Sequence, residues 1–289
     1  MTYTLVLIGI AVALMYVGWL AMLWRFQERI VFQPPFGVAA SHVPARQVRY
    51  CASDGVELFA YIVGDCAAET TVVLAFHGNA DISRWFVPWA VSVVHETNAC
   101  VVLPEYRGYD GLDGAPSYES SKRDAVAALT LVRDTLGPSS GRIIYFGHSL
   151  GTAIAAELAA VHVPTRLVLQ SPFTTAQDMA ARMVVPGARA LWGIMSRVHF
   201  DTMARVREVA CSVWVSHGDQ DMIIPVRMGR DVFAAASHKG ELLIVRQAGH
   251  NDIPDVAGRE YWEWLRRAVS GSETAPSTPA VRIGTRSAP

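Results

Sequence analysis

The sequence predicts an α/β fold in which helices cover both faces of a mostly parallel sheet. Short runs rich in Val and Ile recur along the chain, and segments of helical character lie between them. After their first residue these runs are apolar, which is typical of parallel strands buried on two sides. They are residues 71–76, 99–103, 142–146, 166–169, 212–215 and 241–245, and the clearest helices between them are 120–136 and 152–161. Functional side chains are expected at the carboxyl ends of such strands.

The chain begins with an uncharged apolar stretch over residues 1–24. As a helix it spans about 33 Å, close to the hydrocarbon thickness of a bilayer, so it predicts a transmembrane anchor. A cleaved signal peptide and a buried core helix are the alternatives. No Lys or Arg precedes the stretch and the bulky Met22, Leu23 and Trp24 end it, which is unlike a signal peptide. Arg25 and Arg29 follow, and they favour the cytoplasmic side for the rest of the chain.

The remaining segments are defined by their composition. Residues 25–45, with Pro34 and Pro35, predict a linker that packs onto a domain over 46–270. Residues 47–51 and 56–63 predict an antiparallel hairpin, because the intervening Asp54 and Gly55 suit a tight turn. A Met-rich helical stretch over 172–208 is an insertion, either an ordinary packing surface or a lid over an apolar acyl pocket. Residues 271–289, rich in Ser, Thr, Pro and Ala, predict a disordered tail.

Charge and cysteine content exclude some classes of protein. The 289 residues carry a formal net charge of -1, and Arg far outnumbers Lys. No basic field is therefore available for nucleic acid. The cysteines show no C-x-x-C spacing for zinc, and neither a metal nor a cofactor is predicted. We expect buried or idle thiols at Cys51, Cys66, Cys100 and Cys211.

A small-x-Ser-x-small turn, GHSLG at 147–151, lies between the predicted strand 142–146 and the Ala-rich helix 152–161. The flanking glycines allow a sharp turn without Cβ clashes. The turn lifts the Ser149 hydroxyl clear of the sheet, above the positive end of the helix. This strand–turn–helix context predicts that Ser149 is a catalytic nucleophile.

A serine nucleophile needs a base, and the base needs an acid that orients it. His250 follows the last predicted parallel strand and is the candidate base. Two carboxylates follow the strand 212–215: Asp219, which could instead cap the loop, and Asp221, which precedes Met222. The chain order of serine, acid and histidine is the one expected of this architecture.

Five ordered segments resemble landmarks of membrane-anchored α/β-hydrolase-domain serine hydrolases: HGN at 77–79, EYRGY at 105–109, GHSLG at 147–151, HGDQDMIIP at 217–225 and GH at 249–250. The resemblance covers residues 25–268 and implies an α/β-hydrolase fold. The acid of that family lies in an H-G-x-x-D-x-x-[IV]-P block, which selects Asp221. The sequence departs from the family at Glu105, where Asp is usual, and at Asp110, where a small residue is common.

The HGN turn ends the strand 71–76 and predicts half of an oxyanion hole. Two fixed donors there stabilise the negative oxygen of a tetrahedral intermediate. The backbone N–H groups of Asn79 and Leu150 are the expected donors, with Ala80 a near rival and a plain tight turn the alternative. Arg107 and Tyr109 are expected to brace this loop rather than to bind substrate.

The resemblance implies hydrolysis of ester, thioester or acylglycerol bonds through an acyl-enzyme on Ser149, with no cofactor. The Met-rich insertion and the anchor favour lipid-like acyl chains and a membrane partner. A serine aminopeptidase is an alternative, although the insertion holds few carboxylates, among them Asp178 and Asp201. An acyltransferase and a catalytically inactive membrane-bound scaffold are further alternatives. The presence of all three triad residue types argues against the scaffold.

Overall fold

A mostly parallel sheet forms the centre of the molecule. The computed structural model describes residues 2–37, 42–67, 69–136, 142–182, 195–271 and 281–284. Over these residues the sheet has nine strands: β1 (Arg46–Cys51), β2 (Glu57–Val63), β3 (Val72–Phe76), β4 (Cys100–Pro104), β5 (Ile143–His148), β6 (Arg166–Gln170), β7 (Ser212–Gly218), β8 (Lys239–Val245) and β9 (Val281–Gly284).

The strand order is β1-β2-β4-β3-β5-β6-β7-β8-β9. β1 and β2 form the predicted antiparallel hairpin, and β2 also pairs antiparallel with β4. Every other neighbouring pair is parallel. The predicted α/β fold is therefore confirmed. Its parallel strands bring the ends of β3, β5, β7 and β8 to one edge of the sheet.

Helices cover both faces of the sheet. In the described residues they are α1 (Thr2–Val31), α2 (Val87–Thr97), α3 (Tyr118–Leu136), α4 (Leu150–Val161), α5 (Ala176–Arg182), α6 (Thr202–Glu208), α7 (Val226–Ala235), α8 (Ile253–Ala257) and α9 (Arg259–Ser270). Alternate side chains of β3 point to opposite faces, so Leu74 and Phe76 join the core under α3, α4, α6 and α7, whereas Val73 and Ala75 join the core under α2, α8 and α9.

The N-terminal helix is longer than predicted. α1 continues through residues 25–31, which we expected to belong to a linker, because no Gly or Pro occurs between Trp24 and Pro34. The segment Tyr3–Val31 is long and apolar enough to cross a membrane. Side chains 3–18 are exposed, whereas Phe32 just after the helix is buried in the core.

Two further expectations need correction. Cys66 and Cys100, expected as idle thiols, form a disulfide with a Cα–Cα distance of 5.1 Å, while Cys51 and Cys211 are free.

The predicted disordered tail contains a strand. Residues Val281–Gly284 form β9, which pairs in parallel with β8, although the composition around them is poor in large apolar residues. The rest of 272–289 lies outside the described residues. Of the predicted insertion, the structure describes α5, α6 and residues 195–201; Pro186 and Gly187 lie outside the described residues, and a lid stays a prediction.

Candidate active site

The turn after β5 holds Ser149 in a strained backbone conformation. Its φ of 53° and ψ of -116° lie outside the regions that most residues adopt. The Ser149 N–H donates to the Gln170 carbonyl of β6 at 3.0 Å. A Cβ on Gly147 would lie 2.3 Å from the Gly151 carbonyl oxygen, and one on Gly151 would lie 2.2 Å from that of Phe76. Both glycines are therefore needed for the turn to pack against the sheet.

The three predicted catalytic side chains lie in contact. The Ser149 hydroxyl is 2.9 Å from His250 Nε2, and His250 Nδ1 is 2.6 Å from Asp221 Oδ2. With Nδ1 donating to the carboxylate, Nε2 is left as an acceptor for the serine hydroxyl. The three residues come from the carboxyl ends of β5, β7 and β8, which the parallel sheet brings together. A proton can pass from serine to histidine without any movement of the backbone.

Asp221, not Asp219, faces the histidine. Its Oδ1 accepts the backbone N–H groups of Ile223 and Ile224, both at 2.8 Å. Burial opposes ionisation, but hydrogen bonds from His217 and His250 outweigh it and hold the pKa of Asp221 well below its ordinary value. Asp219 instead accepts the Gln247 N–H at 2.6 Å, which ties two loops together. Of the two carboxylates that the sequence left open, Asp221 is the one that contacts His250, and its role as the acid stays a prediction.

His217 is a residue of this site to which the sequence analysis assigned no role. Its fully buried ring donates from Nε2 to the Ile224 carbonyl at 2.9 Å and lies 3.3 Å from Asp221 Oδ2. A Cβ on Gly229 of α7 would lie 2.2 Å from His217 Nδ1. A glycine inside an amphipathic helix was the available signal, since it marks a close approach. Gly229 makes the space in which His217 supports the acid.

The turn after β3 is braced by Glu105, which is fully buried. Its carboxylate accepts from His77 Nε2, from the N–H and hydroxyl of Ser83, and from the Tyr106 N–H, each at 2.9 Å. Although burial opposes a charge on His77, Glu105 raises the pKa of that imidazole above its ordinary value. The replacement of the family's usual Asp by Glu105 thus leaves the carboxylate with a full set of partners.

Asn79 and Leu150, the predicted oxyanion donors, line the same cavity as Ser149. The Asn79 side chain is occupied elsewhere: its Oδ1 accepts the Gln33 N–H at 2.8 Å and the Tyr109 hydroxyl at 3.0 Å. These two contacts fix the turn that carries the Asn79 backbone N–H. Tyr109 therefore braces the loop, as expected.

Arg107 also braces the loop. It binds Asp124 through Nε and a terminal nitrogen, and Asp54 through both terminal nitrogens, at 2.6–3.1 Å. Asp110, the other departure from the family pattern, forms an ion pair with the buried Arg84. With two carboxylates already bound, the guanidinium of Arg107 has no role in holding a substrate anion.

His148 lies beside His250, the candidate base, and does not titrate near neutral pH. Its Nε2 donates to the His250 carbonyl at 3.3 Å, and its buried Nδ1 has no hydrogen-bond partner in the described part of the chain. Burial, reinforced by the nearby His250, lowers the pKa of His148 to about 3. The ring therefore stays neutral and adds no charge next to His250.

An apolar cavity of about 380 Å³ opens above Ser149. Four parts of the chain form its walls: α1, the turns that carry Asn79 and Ser149, the segments around α5 and residues 195–200, and the loop after β7. Its lining is Leu20, Leu23, Trp24, Gln27, Ile30, Val31, Asn79, Ser149, Leu150, Phe173, Ala176, Met179, Ala180, Met195, Ser196, Val198, Phe200, Ile223 and Ile224. No carboxylate, Lys or Arg is among these described lining residues.

Comparisons with known proteins agree with this architecture. A family model described as alpha/beta hydrolase fold matches residues 71–194. An uncharacterized protein of Mycobacterium tuberculosis is 32% identical over 272 residues, which cover 91% of this chain and 94% of that protein. Alpha/beta hydrolase domain-containing protein 17B of Xenopus laevis is 26% identical over 218 residues, 75% of this chain and 73% of the relative. A solved esterase of Pyrococcus furiosus superposes with a TM-score of 0.65 at 17% identity, over 82% of this chain and 99% of the esterase.

Proposed function

This chain belongs to the α/β-hydrolase family, and we propose that it is a serine hydrolase that cleaves ester or thioester bonds of lipid-like acyl groups. The acyl-enzyme forms on Ser149. One observation carries the proposal: Ser149, His250 and Asp221 are joined by contacts of 2.9 and 2.6 Å at the floor of an apolar cavity.

In acylation, the Ser149 oxygen attacks the carbonyl carbon of the substrate while its proton passes to His250 Nε2. The carbonyl electron pair moves onto oxygen, and the backbone N–H groups of Asn79 and Leu150 stabilise that charge. Asp221 holds the Nδ1–H tautomer and stabilises the imidazolium. The intermediate then collapses, and the alcohol or thiol leaves with the proton of His250.

Deacylation repeats these steps with water. His250 removes a proton from the water molecule, hydroxide adds to the acyl carbon, and the Ser149 oxygen leaves as the acid product is released. The proton returns from His250 to the serine. Glu105, Arg107 and Tyr109 act at a distance, because they hold the loops that carry the oxyanion donors.

The chemistry of the cavity supports an acyl substrate. An aminopeptidase needs a carboxylate that binds a free amine, but Asp201 caps α6 by accepting the Ala204 N–H, and Asp178 accepts the Thr174 hydroxyl at 2.6 Å. Neither residue lines the cavity. An acyltransferase would use the same acyl-enzyme, and product analysis separates it from a hydrolase: it transfers the acyl group to an added acceptor rather than to water.

α1 anchors the protein in a membrane through its uncharged part, residues 1–24. The exposure of side chains 3–18, which are mostly apolar, supports this role, since such a surface is stable in lipid and costly in water. The hydrolase domain then occupies residues 46–270, and the described parts of the 172–208 insertion that line the cavity, within 173–180 and 195–200, belong to its lid.

A fluorophosphonate probe tests the proposal. Wild-type protein is expected to be labelled on Ser149, and Ser149→Ala is expected to lose all labelling. Ser196→Ala is the matched control, because Ser196 lines the same cavity but donates to the Val198 carbonyl rather than contacting a histidine. Labelling that persists in Ser149→Ala, or that disappears in Ser196→Ala, would remove the nucleophile assignment. An unlabelled wild type would favour the inactive scaffold.

A further inference from the structure

One face of the N-terminal helix forms a wall of the substrate cavity. The lining residues of α1 are Leu20, Leu23, Trp24, Gln27, Ile30 and Val31. Their spacing of three and four residues puts them on a single face of the helix. Neighbours off this face, such as Met22, are exposed. The anchor helix therefore contributes about a third of the residues that surround the cavity.

Polar contacts hold this part of α1 on the domain. Gln27 donates to the Met195 carbonyl at 3.2 Å and accepts the Arg197 N–H at 2.6 Å. Arg197 also donates to the Trp24 carbonyl at 2.8 Å, and its guanidinium lies 4.6 Å from the centre of the Trp24 ring. Because these contacts are directional, the apolar face of α1 has a defined position over the cavity.

The helix wall, which is the face of α1 that lines the cavity, crosses the expected surface of the bilayer. The first charged residue of the chain is Arg25, so Leu20, Leu23 and Trp24 belong to the uncharged part of α1, whereas Gln27, Ile30 and Val31 lie beyond it. Trp24 lies at this boundary, where aromatic side chains are common in membrane proteins. One end of the cavity thus lies at the level of the lipid, and the other lies near Asn79, to which Gln33 after α1 is hydrogen bonded.

From this arrangement we infer that the anchor helix is the acyl-binding wall of the enzyme, and that its substrate is a long-chain lipid ester taken directly from the membrane. The inference rests on the proposed function of Ser149. The acyl chain lies along α1 from Val31, near the reacting atoms, to Leu20, a distance of about 16 Å along the helix axis. The ester group reaches Ser149 while the end of the chain points to the hydrocarbon layer.

Cross-linking in the wild-type protein tests this path. A fluorophosphonate with a long alkyl chain that ends in a diazirine is reacted with the full-length protein in phosphatidylcholine vesicles, and light then links the chain end to its neighbours. Peptide mapping is expected to find the link within residues 20–24 of α1. A short-chain diazirine probe serves as control and is expected to link close to Ser149. Long-chain links found only outside α1 would overturn the inference.

Cavity-filling variants provide a second test. Leu20→Trp and Leu23→Trp narrow the lipid end of the cavity, and Met22→Trp adds the same bulk on an exposed position, 51% accessible, of the same helix. For the first two variants, kcat/KM for a palmitoyl ester is expected to fall about tenfold relative to a butyryl ester, because each lost methylene contact weakens binding. Met22→Trp is expected to keep the wild-type ratio.

The outcomes separate this inference from the proposed function. The rate of labelling by a short fluorophosphonate reports that the site of each variant is folded. Suppose that Leu20→Trp is labelled at the normal rate but has the same chain-length profile as Met22→Trp. That result would overturn the inference that α1 binds the acyl chain, and Ser149 would still be the nucleophile. If a variant is not labelled, its site is not folded, and the cross-linking result for the wild type tests the inference instead. A wild type that the short probe does not label would overturn both.

Discussion

Two regions that meet at one cavity are built from different interactions. The catalytic edge, formed by Ser149, His250, Asp221 and His217, is held by hydrogen bonds between fixed polar atoms. The helix wall, formed by the lining residues of α1, is mainly an apolar surface with a few polar contacts around Gln27. Hydrogen bonds have narrow geometric limits, whereas apolar contacts tolerate changes of shape. Changes at the edge should therefore abolish turnover, and changes at the wall should alter which substrate is used.

The largest effect after loss of Ser149 is expected at the acid. Asp221→Asn should lower kcat about 10⁴-fold, because an amide can favour the wrong tautomer of His250 and cannot stabilise its cation. Asp219→Asn is the matched control, since Asp219 contacts the Gln247 N–H and not the histidine. Steady-state kinetics with a short-chain ester measure both. Equal losses in the two variants would contradict the assignment of Asp221.

A smaller effect is expected at the support of the acid. Gly229→Ala would place a Cβ 2.2 Å from His217 Nδ1, so the ring must leave the position in which it contacts Asp221. We expect kcat to fall about 30-fold while labelling of Ser149 slows in parallel. In an ordinary helix the same change stabilises by about 0.5–1 kcal/mol. Arg230→Ala, on an exposed position of α7, is the control, and its kcat should match that of the wild type. An unchanged kcat in Gly229→Ala would show that His217 has no role.

The third prediction concerns stability in acid. The pKa of His148 is about 3 in the folded protein against 6.5 for an ordinary histidine. Below about pH 6.5 the unfolded chain therefore binds a proton at this histidine, whereas the folded protein does not. Proton binding then favours the unfolded state, so the free energy of unfolding decreases as the pH falls toward 3. His148→Gln keeps a donor for the His250 carbonyl but cannot titrate.

Thermal unfolding in detergent at about pH 7 and about pH 4.5 measures the difference. Between about pH 7 and about pH 4.5, the free energy of unfolding of the wild type should decrease by about 2 kcal/mol more than that of His148→Gln. Glu105 and His77 are present in both proteins, so their titration cancels in the comparison. An identical acid sensitivity of the two proteins would contradict the low pKa of His148.

The smallest effect is expected at the helix wall. Gln27→Leu keeps the size of the side chain but removes its contacts with Met195 and Arg197. KM for a long-chain ester should rise about threefold to tenfold with kcat nearly unchanged, because only the position of α1 is loosened. Arg29→Gln, on an exposed position of the same helix, is the control. A large loss of kcat for short esters would mean that α1 acts on the catalytic edge as well.

Much of the fold could be predicted because its strands are buried on both sides. Runs such as 72–76 and 143–146 are apolar throughout, and their order along the chain implies the parallel sheet. The proximity of Ser149 and His250 followed from the same logic, since each lies after a parallel strand. Their catalytic roles stay predictions. Asp219 and Asp221 could not be separated by position, because they lie two residues apart and only the loop conformation decides which one reaches His250.

Other features leave little trace in the sequence. Every side of a uniformly apolar helix looks alike, so the face of α1 that lines the cavity could not be distinguished from the face toward lipid. The Cys66–Cys100 pair depends on the packing of a loop against β4, which no spacing reveals. The support of Asp221 by His217 depends on Gly229, eight residues after the acid, and on the packing of α7 against the imidazole, which the sequence does not specify.

The acyl-enzyme itself is the most direct test of the central claim. Full-length protein is mixed rapidly with a long-chain nitrophenyl ester, quenched in acid and analysed by peptide mass spectrometry. We predict a mass increase equal to one acyl group on the peptide that contains Ser149, present in Ser196→Ala and absent in Ser149→Ala. An acyl group on any other residue, or turnover that continues in Ser149→Ala, would contradict the account.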